Sequence, residues 1–252
     1  MEFGAIIIGD EILTGKRQDR HMARLIDLLW ARGLELAFCE FIGDVPSRIV
    51  DTLRRTYALA DTAVFCFGGI GATPDDYTRQ CAADAAGVAL RRHSGAVAEM
   101  EARFGAMQAD HPRYLMADLP EGCELIPNPF NRVPGFSLKH HYFLPGFPEM
   151  AGPMIEWVLD TIYRSLHHVR DTSDQAIMVR EAAESQLLPL MNACVAKYPE
   201  LKLFSLPRLA PGGRCIELGF RGDAARVAIA LEELRSGVTA LGFAWDDRPP
   251  LH

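Results

Sequence analysis

What the chain has little of narrows the field first. Its 252 residues hold only six cysteines, set singly at Cys39, Cys66, Cys81, Cys123, Cys194 and Cys215 with no CxxC pair. That spacing excludes a disulfide framework, argues against structural zinc and fits a reducing, cytoplasmic setting. No apolar run approaches the ~20 residues of a membrane span. Met1 to Ile8 lacks the basic start and cleavage site of a secretory leader. Basic charge is scarce: 26 Lys and Arg against 33 Asp and Glu leave a net charge of −7. No general basic surface is therefore on offer to nucleic acid, and the expected partners are small molecules, with neither nucleic acid nor membrane. A GxSxG nucleophile elbow, a GxxxxGK[ST] loop, solenoid-period repeats and low-complexity tracts are also missing, which disfavours covalent acyl chemistry and a P-loop mechanism.

What is present is a globular chain, 49% hydrophobic and 23% charged, able to bury a core without help from metal or disulfide. Ala5 to Ile8 is a continuous apolar run that stops at Gly9, as a buried strand does. Met22, Leu25, Ile26 and Leu29 recur at helical spacing between Arg20 and Arg32. Leu34–Phe41 reads as a strand, 46–60 as a helix and Thr62–Phe67 as a further strand ending in Gly68-Gly69. Helices are expected near 74–86 and 94–109, short strands and loops over 112–153, a strand at 141–144 and a helix over 149–163. Strands alternating with helices imply right-handed βαβ units, and hence a parallel sheet with helices on both faces.

After about residue 170 the pattern changes. Strands at 175–180, 202–206 and 214–220, helices at 182–197 and 223–235 and a last strand at 238–241 give the order β-α-β-β-α-β, with Pro211-Gly212-Gly213 turning between the middle strands. That is the split βαβ, ferredoxin-like unit. The expected organisation is an α/β/α sandwich over 1–170 and a small α+β domain over 171–252.

In a parallel sheet, ligands bind beyond the carboxyl ends of the strands. Gly68-Gly69-Ile70-Gly71-Ala72-Thr73-Pro74-Asp75-Asp76-Tyr77-Thr78 lies at such an end. Its glycines let backbone amides approach a ligand. Thr73 reads as an N-cap, Pro74 as the first helical residue, and Asp75 and Asp76 as the first turn. Amides and helix dipole would suit a phosphate, but the two carboxylates would repel it. A divalent cation resolves the conflict, with Asp76 the better metal ligand or base. The bland alternative is that both aspartates merely complement the helix dipole.

Gly9-Asp10-Glu11-Ile12-Leu13-Thr14-Gly15, with Gln18-Asp19, would bring further carboxylates to the same edge. Asn128-Pro129 to Pro134-Gly135, and Leu144-Pro145-Gly146 to Met150, either wall the pocket or are ordinary turns. The adjacent pairs His140-His141 and His167-His168 would diverge on a strand, which disfavours a metal site. Cys66, inside an apolar strand, reads as an inert thiol.

These four segments together resemble the molybdopterin-binding, MoaB/Mog-type domain, in the version found in the competence/damage-inducible protein A (CinA) family and in eukaryotic FAD synthases. The first resembles that family's opening motif, and the second its GGxGPTxDDxT motif. The resemblance covers about the first 170 residues. It implies a pocket for a nucleotide or pterin phosphate, a divalent metal (Mg or Co), and a dimer or trimer. It further implies hydrolysis of a nucleotide pyrophosphate such as ADP-ribose or FAD. Asp76, Asp75 and Glu11 would be the catalytic set, with Asp76 on the metal. Gly9, Asp10, Gly15, Gly68, Gly69, Gly71, Thr73, Asn128, Pro145 and Gly146 would hold the ligand. Two alternatives stay open: binding of molybdopterin or a nucleotide without turnover, and adenylyl transfer as in Mog-type relatives. Ala72 stands where the motif has Pro, and His21 where related motifs often have Asn. The deamidase domain of many CinA proteins is expected to be absent, and nicotinamide-nucleotide deamidation with it.

Overall fold

The computed structural model describes residues 1–169, 171–210 and 213–247. The chain divides into two compact units, Met1–His167 and His168–His252. The boundary expected near residue 170 differs from this by a few residues, and Arg170 lies outside the described residues.

The first unit runs β1 (Glu2–Ile8), α1 (Asp10–Leu13), α2 (His21–Trp30), β2 (Leu36–Ile42), α3 (Pro46–Tyr57), β3 (Thr62–Phe67), α4 (Thr78–Ala86), β4 (Leu90–Arg92), α5 (Ser94–Phe104), β5 (Asp118–Pro120), β6 (Glu124–Ile126), β7 (Gly135–Leu138), β8 (His141–Leu144) and α6 (Pro148–Thr161). Its main sheet has the order β2-β1-β3-β8-β7-β6. The first four strands are parallel, β7 runs against them, and β6 pairs antiparallel with β7. Because side chains alternate along a strand, β1 and β3 feed two cores. Phe3, Ala5, Ile7, Phe65 and Phe67 pack with Leu25 and Leu29 of α2 and with Met154, Ile155 and Val158 of α6. Ile6, Ile8, Val64 and Cys66 pack with Ile49 and Leu53 of α3, Ala82 of α4 and Met100 of α5. Burial on both faces is why these strands read as unbroken apolar runs. The expected three-layer α/β sandwich with a largely parallel sheet is what the unit forms.

The parallel arrangement brings four strand ends to one edge. β1 runs into Gly9, β2 into Gly43-Asp44, β3 into Gly68 and β8 into Pro145.

The second unit runs β9 (Thr172–Arg180), α7 (Glu184–Lys197), β10 (Lys202–Ala210), β11 (Gly213–Asp223), α8 (Ala224–Ala240) and β12 (Trp245–Asp247). Its antiparallel sheet has the order β10-β11-β9-β12, the split βαβ arrangement expected. β10 is an edge strand that carries Pro207 opposite Ile216. The strand expected at 238–241 is instead the end of α8. Val227, Leu231, Leu234 and Val238 fall at helical spacing into the unit's core, so the apolar stripe continues the helix and the strand follows at Trp245. Of the expected Pro211-Gly212-Gly213 turn, Pro211 and Gly212 lie outside the described residues. No helix among the described residues is long and apolar enough to cross a membrane.

Candidate functional site

The loop after β3 is shaped by backbone crowding. Gly68 has φ +102°, and a Cβ there would stand 2.2 Å from the Ile8 carbonyl oxygen. Gly69 has φ +67°, and a Cβ there would stand 2.2 Å from Thr78 Oγ1. Only glycine accommodates both the left-handed backbone and the contact.

The helix expected to start at Pro74 starts at Thr78. Thr73 does not cap it. Instead its N–H donates to Asp76 Oδ2 at 2.8 Å, its hydroxyl donates to the same oxygen, and Asp76 N–H returns to the Thr73 carbonyl at 3.0 Å. Thr73 to Asp76 is thus a closed turn, and Asp75 and Asp76 lie ahead of the helix. The expected helix-dipole argument for phosphate falls with that correction.

Two other features make the loop electropositive. Among the described residues, the N–H groups of Gly69, Ile70, Gly71 and Ala72 have no protein acceptor. Behind them lies Arg79, only 3% exposed. Its guanidinium donates to the carbonyls of Gly71 at 2.7 Å, Asp118 at 3.0 Å and Leu115. Burial lowers the Arg79 pKa, and Asp118 and Asp76 oppose that shift. An arginine stays charged under such conditions, so the glycine loop is backed by a fixed cation.

The cavity is also acidic. Glu11, Asp44, Asp75 and Asp76 line one cavity of about 720 Å³ with the glycine loop, Asn128, Pro145 and Gly146. Asp44 is held above the usual carboxylate range by burial, and Asp10, Glu11 and Asp75 push the same way, while its bond from the Asp10 backbone opposes them. The exposed Asp75 carboxyl is held below that range by the Thr73 hydroxyl and the local backbone. Ile70, Phe104, Met116, Val133, Phe147 and Met150 give the cavity an apolar side suited to a flat heterocycle.

A sequence profile described as a probable molybdopterin binding domain matches residues 4–164, most of the first unit. The chain belongs to that family. A "CinA-like protein" from Citrifermentans bemidjiense is 30% identical over 98% of this chain and 60% of its own length. A second, from Koribacter versatilis, is 34% identical over 96% of this chain and 59% of its own. The chain therefore spans about 60% of the length of these curated relatives. A crystal structure of "the protein CinA with unknown function" from Thermoplasma acidophilum aligns with a TM-score of 0.57 and 26% identity. It covers 64% of this chain and 99% of that one. Together these make the first unit a molybdopterin-binding-type domain of the CinA-like group.

Within this family member, Gly9, Glu11, Gly68, Gly69, Gly71, Thr73, Asp75, Asp76, Asn128, Pro145 and Gly146 all border the one cavity. Two expected ligand residues do not. Asp10 exchanges bonds with Asp44: its N–H donates to Asp44 Oδ2 at 2.8 Å and its Oδ1 accepts from the Asp44 N–H at 3.2 Å. It ties the end of β1 to the end of β2. Gly15, at φ +72°, turns the chain away with nothing near its Cα face. Asn128 borders the cavity, but its side chain is spent on its own loop, bonding Asn131, Val133 and Phe130. Sequence reasoning missed Asp44, Arg17 and Arg79. A Gly-Asp at a strand end was a signal for Asp44, whereas nothing local marks an arginine whose acceptors lie up to 39 residues away. Of the histidine pairs, His140 sits in a turn at φ +59°. His141 is buried, its ring bonded to Lys139 O at 3.0 Å and Thr56 Oγ1 at 2.8 Å.

Proposed function

We propose that the cavity binds a nucleotide carrying a pyrophosphate and hydrolyses the P–O–P bond with the help of a divalent cation. The observation that carries this reading is that unbonded loop amides, backed by buried Arg79, and four carboxylates line one cavity.

The donor set fits a hard cation that arrives with its phosphate. Among the described residues no three His, Cys, Asp or Glu groups converge to hold an ion unaided. One or two carboxylates completed by phosphate oxygens is the common arrangement for Mg²⁺. Asp75, ionised and exposed, and the outer oxygen of Asp76 would hold it, with Asp44 adding negative charge nearby. When bound, such a cation supplies charge neutralisation at the phosphates.

The chain's own groups then do the rest. The amides of Gly69 to Ala72 receive the oxygens of one phosphoryl group, as an oxyanion hole does. Arg17, which borders the cavity and has no carboxylate partner among the described residues, meets the other phosphate. Glu11 takes the proton of the attacking water as the new P–O bond forms. The bridging oxygen leaves on the second phosphate, giving two phosphomonoesters. Asp76 also closes the turn with Thr73 that shapes the loop. The six cysteines, all free thiols, suit a cytoplasmic setting, and a homo-oligomer goes with the family likeness.

The test is product release from ADP-ribose, FAD, NAD and ATP with and without Mg²⁺ or Co²⁺, for the natural chain beside Glu11→Gln and Asp75→Asn. Metal-dependent cleavage that falls at least about a hundredfold in Glu11→Gln is expected, the loss typical of a general base. Nucleotide or molybdopterin binding with no product under any metal would move the function to binding alone, and ATP-dependent adenylylation of molybdopterin would move it to adenylyl transfer.

A further inference from the structure

Arg79 stands in the first turn of α4, and its two terminal nitrogens hold different segments of the chain. Nη2 donates to the Gly71 carbonyl at 2.7 Å. Nη1 donates to the Asp118 carbonyl at 3.0 Å and to the Leu115 carbonyl. One nitrogen therefore holds the glycine loop. The other holds the 3₁₀ turn Pro112–Ala117 where it runs into β5.

That turn supplies part of the cavity's apolar side. Met116, between the two gripped carbonyls, lines the cavity. Arg113, from the same turn, lies over the ring of Phe104 at 4.5 Å from its centroid, and Phe104 lines the cavity too. The guanidinium thus joins the polar backbone loop to the apolar side of one cavity. Its fork is planar and rigid, so a shift of the loop is passed to the turn. Support of the glycine loop alone would need only the Gly71 bond. A smaller cavity of about 350 Å³, which Glu11, Arg17, Asp19 and His21 help to line, has no lining residue bonded to Arg79. The bracket belongs to the larger cavity.

We infer that Arg79 is a positioning residue that couples the phosphate loop to the heterocycle side of the cavity, so that filling one raises the affinity of the other. The inference rests on the nucleotide reading of this cavity and adds how its two parts communicate. A phosphate on the loop amides fixes the Gly71–Ala72 peptide. The Gly71 carbonyl fixes the guanidinium, and the guanidinium fixes Leu115 and Asp118 on either side of Met116. A heterocycle that arrives next meets an apolar side already ordered, and the same linkage runs in reverse.

The experiment uses the full chain with ¹³C-labelled methionine methyl groups, Mg²⁺ and inorganic pyrophosphate. Backbone spectra report the amides of Gly69 to Ala72. Met116 is identified by its loss in Met116→Leu. Met150, which lines the same cavity but lies outside the Arg79 network, controls for direct contact with the probe. Arg79→Lys keeps the buried charge and loses the fork. The expected result is that Met116 moves in step with the loop amides as pyrophosphate saturates the natural chain. In Arg79→Lys the amides and Met150 still respond, and Met116 does not. Calorimetry with adenosine, which carries no charge for pyrophosphate to attract, should show binding about fivefold tighter at saturating pyrophosphate in the natural chain. The two adenosine affinities should be equal in Arg79→Lys, whereas a merely structural arginine would leave their ratio unchanged. Loop amides that saturate while Met116 stays still in the natural chain overturn the coupling and leave the nucleotide reading intact. An adenosine gain absent from the natural chain, or equal in both proteins, does the same. The readings on the natural chain decide this even where the variant does not fold. Loop amides that never move overturn the nucleotide reading, and the coupling falls with it.

Discussion

The loops after β1 and β3 hold equivalent places, each leaving a buried parallel strand at the same sheet edge, yet they are built in opposite ways. The β3 loop is held from behind. Arg79 grips the Gly71 carbonyl, Asp76 closes on Thr73, and Gly68 lies against the β1 backbone. What it shows the cavity is backbone. The β1 loop is tied to β2 by the Asp10–Asp44 exchange and by the Gly9 N–H on the Ile42 carbonyl, and what it shows the cavities is side chains: Glu11, Arg17, Asp19 and His21. A fixed backbone frame suits the part of a ligand common to many substrates, the phosphate. Side chains suit the part that varies.

The largest way to break this comparison is to remove the support behind the β3 loop. Arg79→Met keeps a long apolar stem but leaves three carbonyls without their donor, and a loss of about 3–4 kcal/mol is expected from hydrogen bonds to a charged group. Urea midpoints measure it. A loss below about 1 kcal/mol would mean that the loop stands without its buried cation.

A buried histidine sharpens the same contrast through pH. Burial pulls His141 from its ordinary 6.5 down to about 4, the Lys139 carbonyl opposing and His140 assisting. The folded chain therefore keeps this imidazole neutral while the unfolded chain protonates it. Its contribution is complete above about pH 6.5 and is lost as pH falls toward 4, about 2 kcal/mol having gone by pH 5. Urea unfolding at pH 7.5 and pH 5 should show this loss in the natural chain and less of it in His141→Gln. An identical pH slope in both proteins would remove His141 from the account.

The smallest effect concerns the side-chain tie between the ends of β1 and β2. Asp44→Asn keeps an oxygen for the Asp10 N–H and removes a charge that burial and three neighbouring carboxylates oppose. Because the folded pKa is raised, the ionised carboxylate is less stable in the folded chain than in the unfolded one. The variant should gain a few tenths of a kcal/mol, solvent screening keeping the figure small. Thermal melts at low salt are the measurement, and a clear loss of stability would show that the carboxylate itself holds the two strand ends.

The fold was legible where a single periodicity governs a segment. Ala5-Ile6-Ile7-Ile8 and Thr62–Phe67 are unbroken because both sheet faces are buried, and the β-α-β-β-α-β order of the second unit followed from alternation alone. It misled where local signals have two uses. Thr73-Pro74-Asp75-Asp76 has the composition of a helix start, but the Thr73 amide found a carboxylate three residues on before a helix could form. Val238 to Leu241 looks like a strand in isolation, and only its register with Val227, Leu231 and Leu234 shows it to be helix. At the site, the strand-end glycines and carboxylates were visible because they are contiguous in sequence. Arg79 was not, since its role depends on carbonyls that only the folded chain brings near, and Asp44, though marked by its strand-end glycine, joins the others only in the fold.

The edges of the second unit's sheet have a consequence for how this chain keeps company with itself. At one edge, Pro207 interrupts the donors of β10, and Arg208 follows it. At the other, β12 carries Asp246 and Asp247, paired with Arg180 and Arg235. An incoming strand finds a missing N–H on one side and a charged rim on the other. The sheet is thereby capped at four strands, and crowding many copies together gives it no template along which to grow into a fibril.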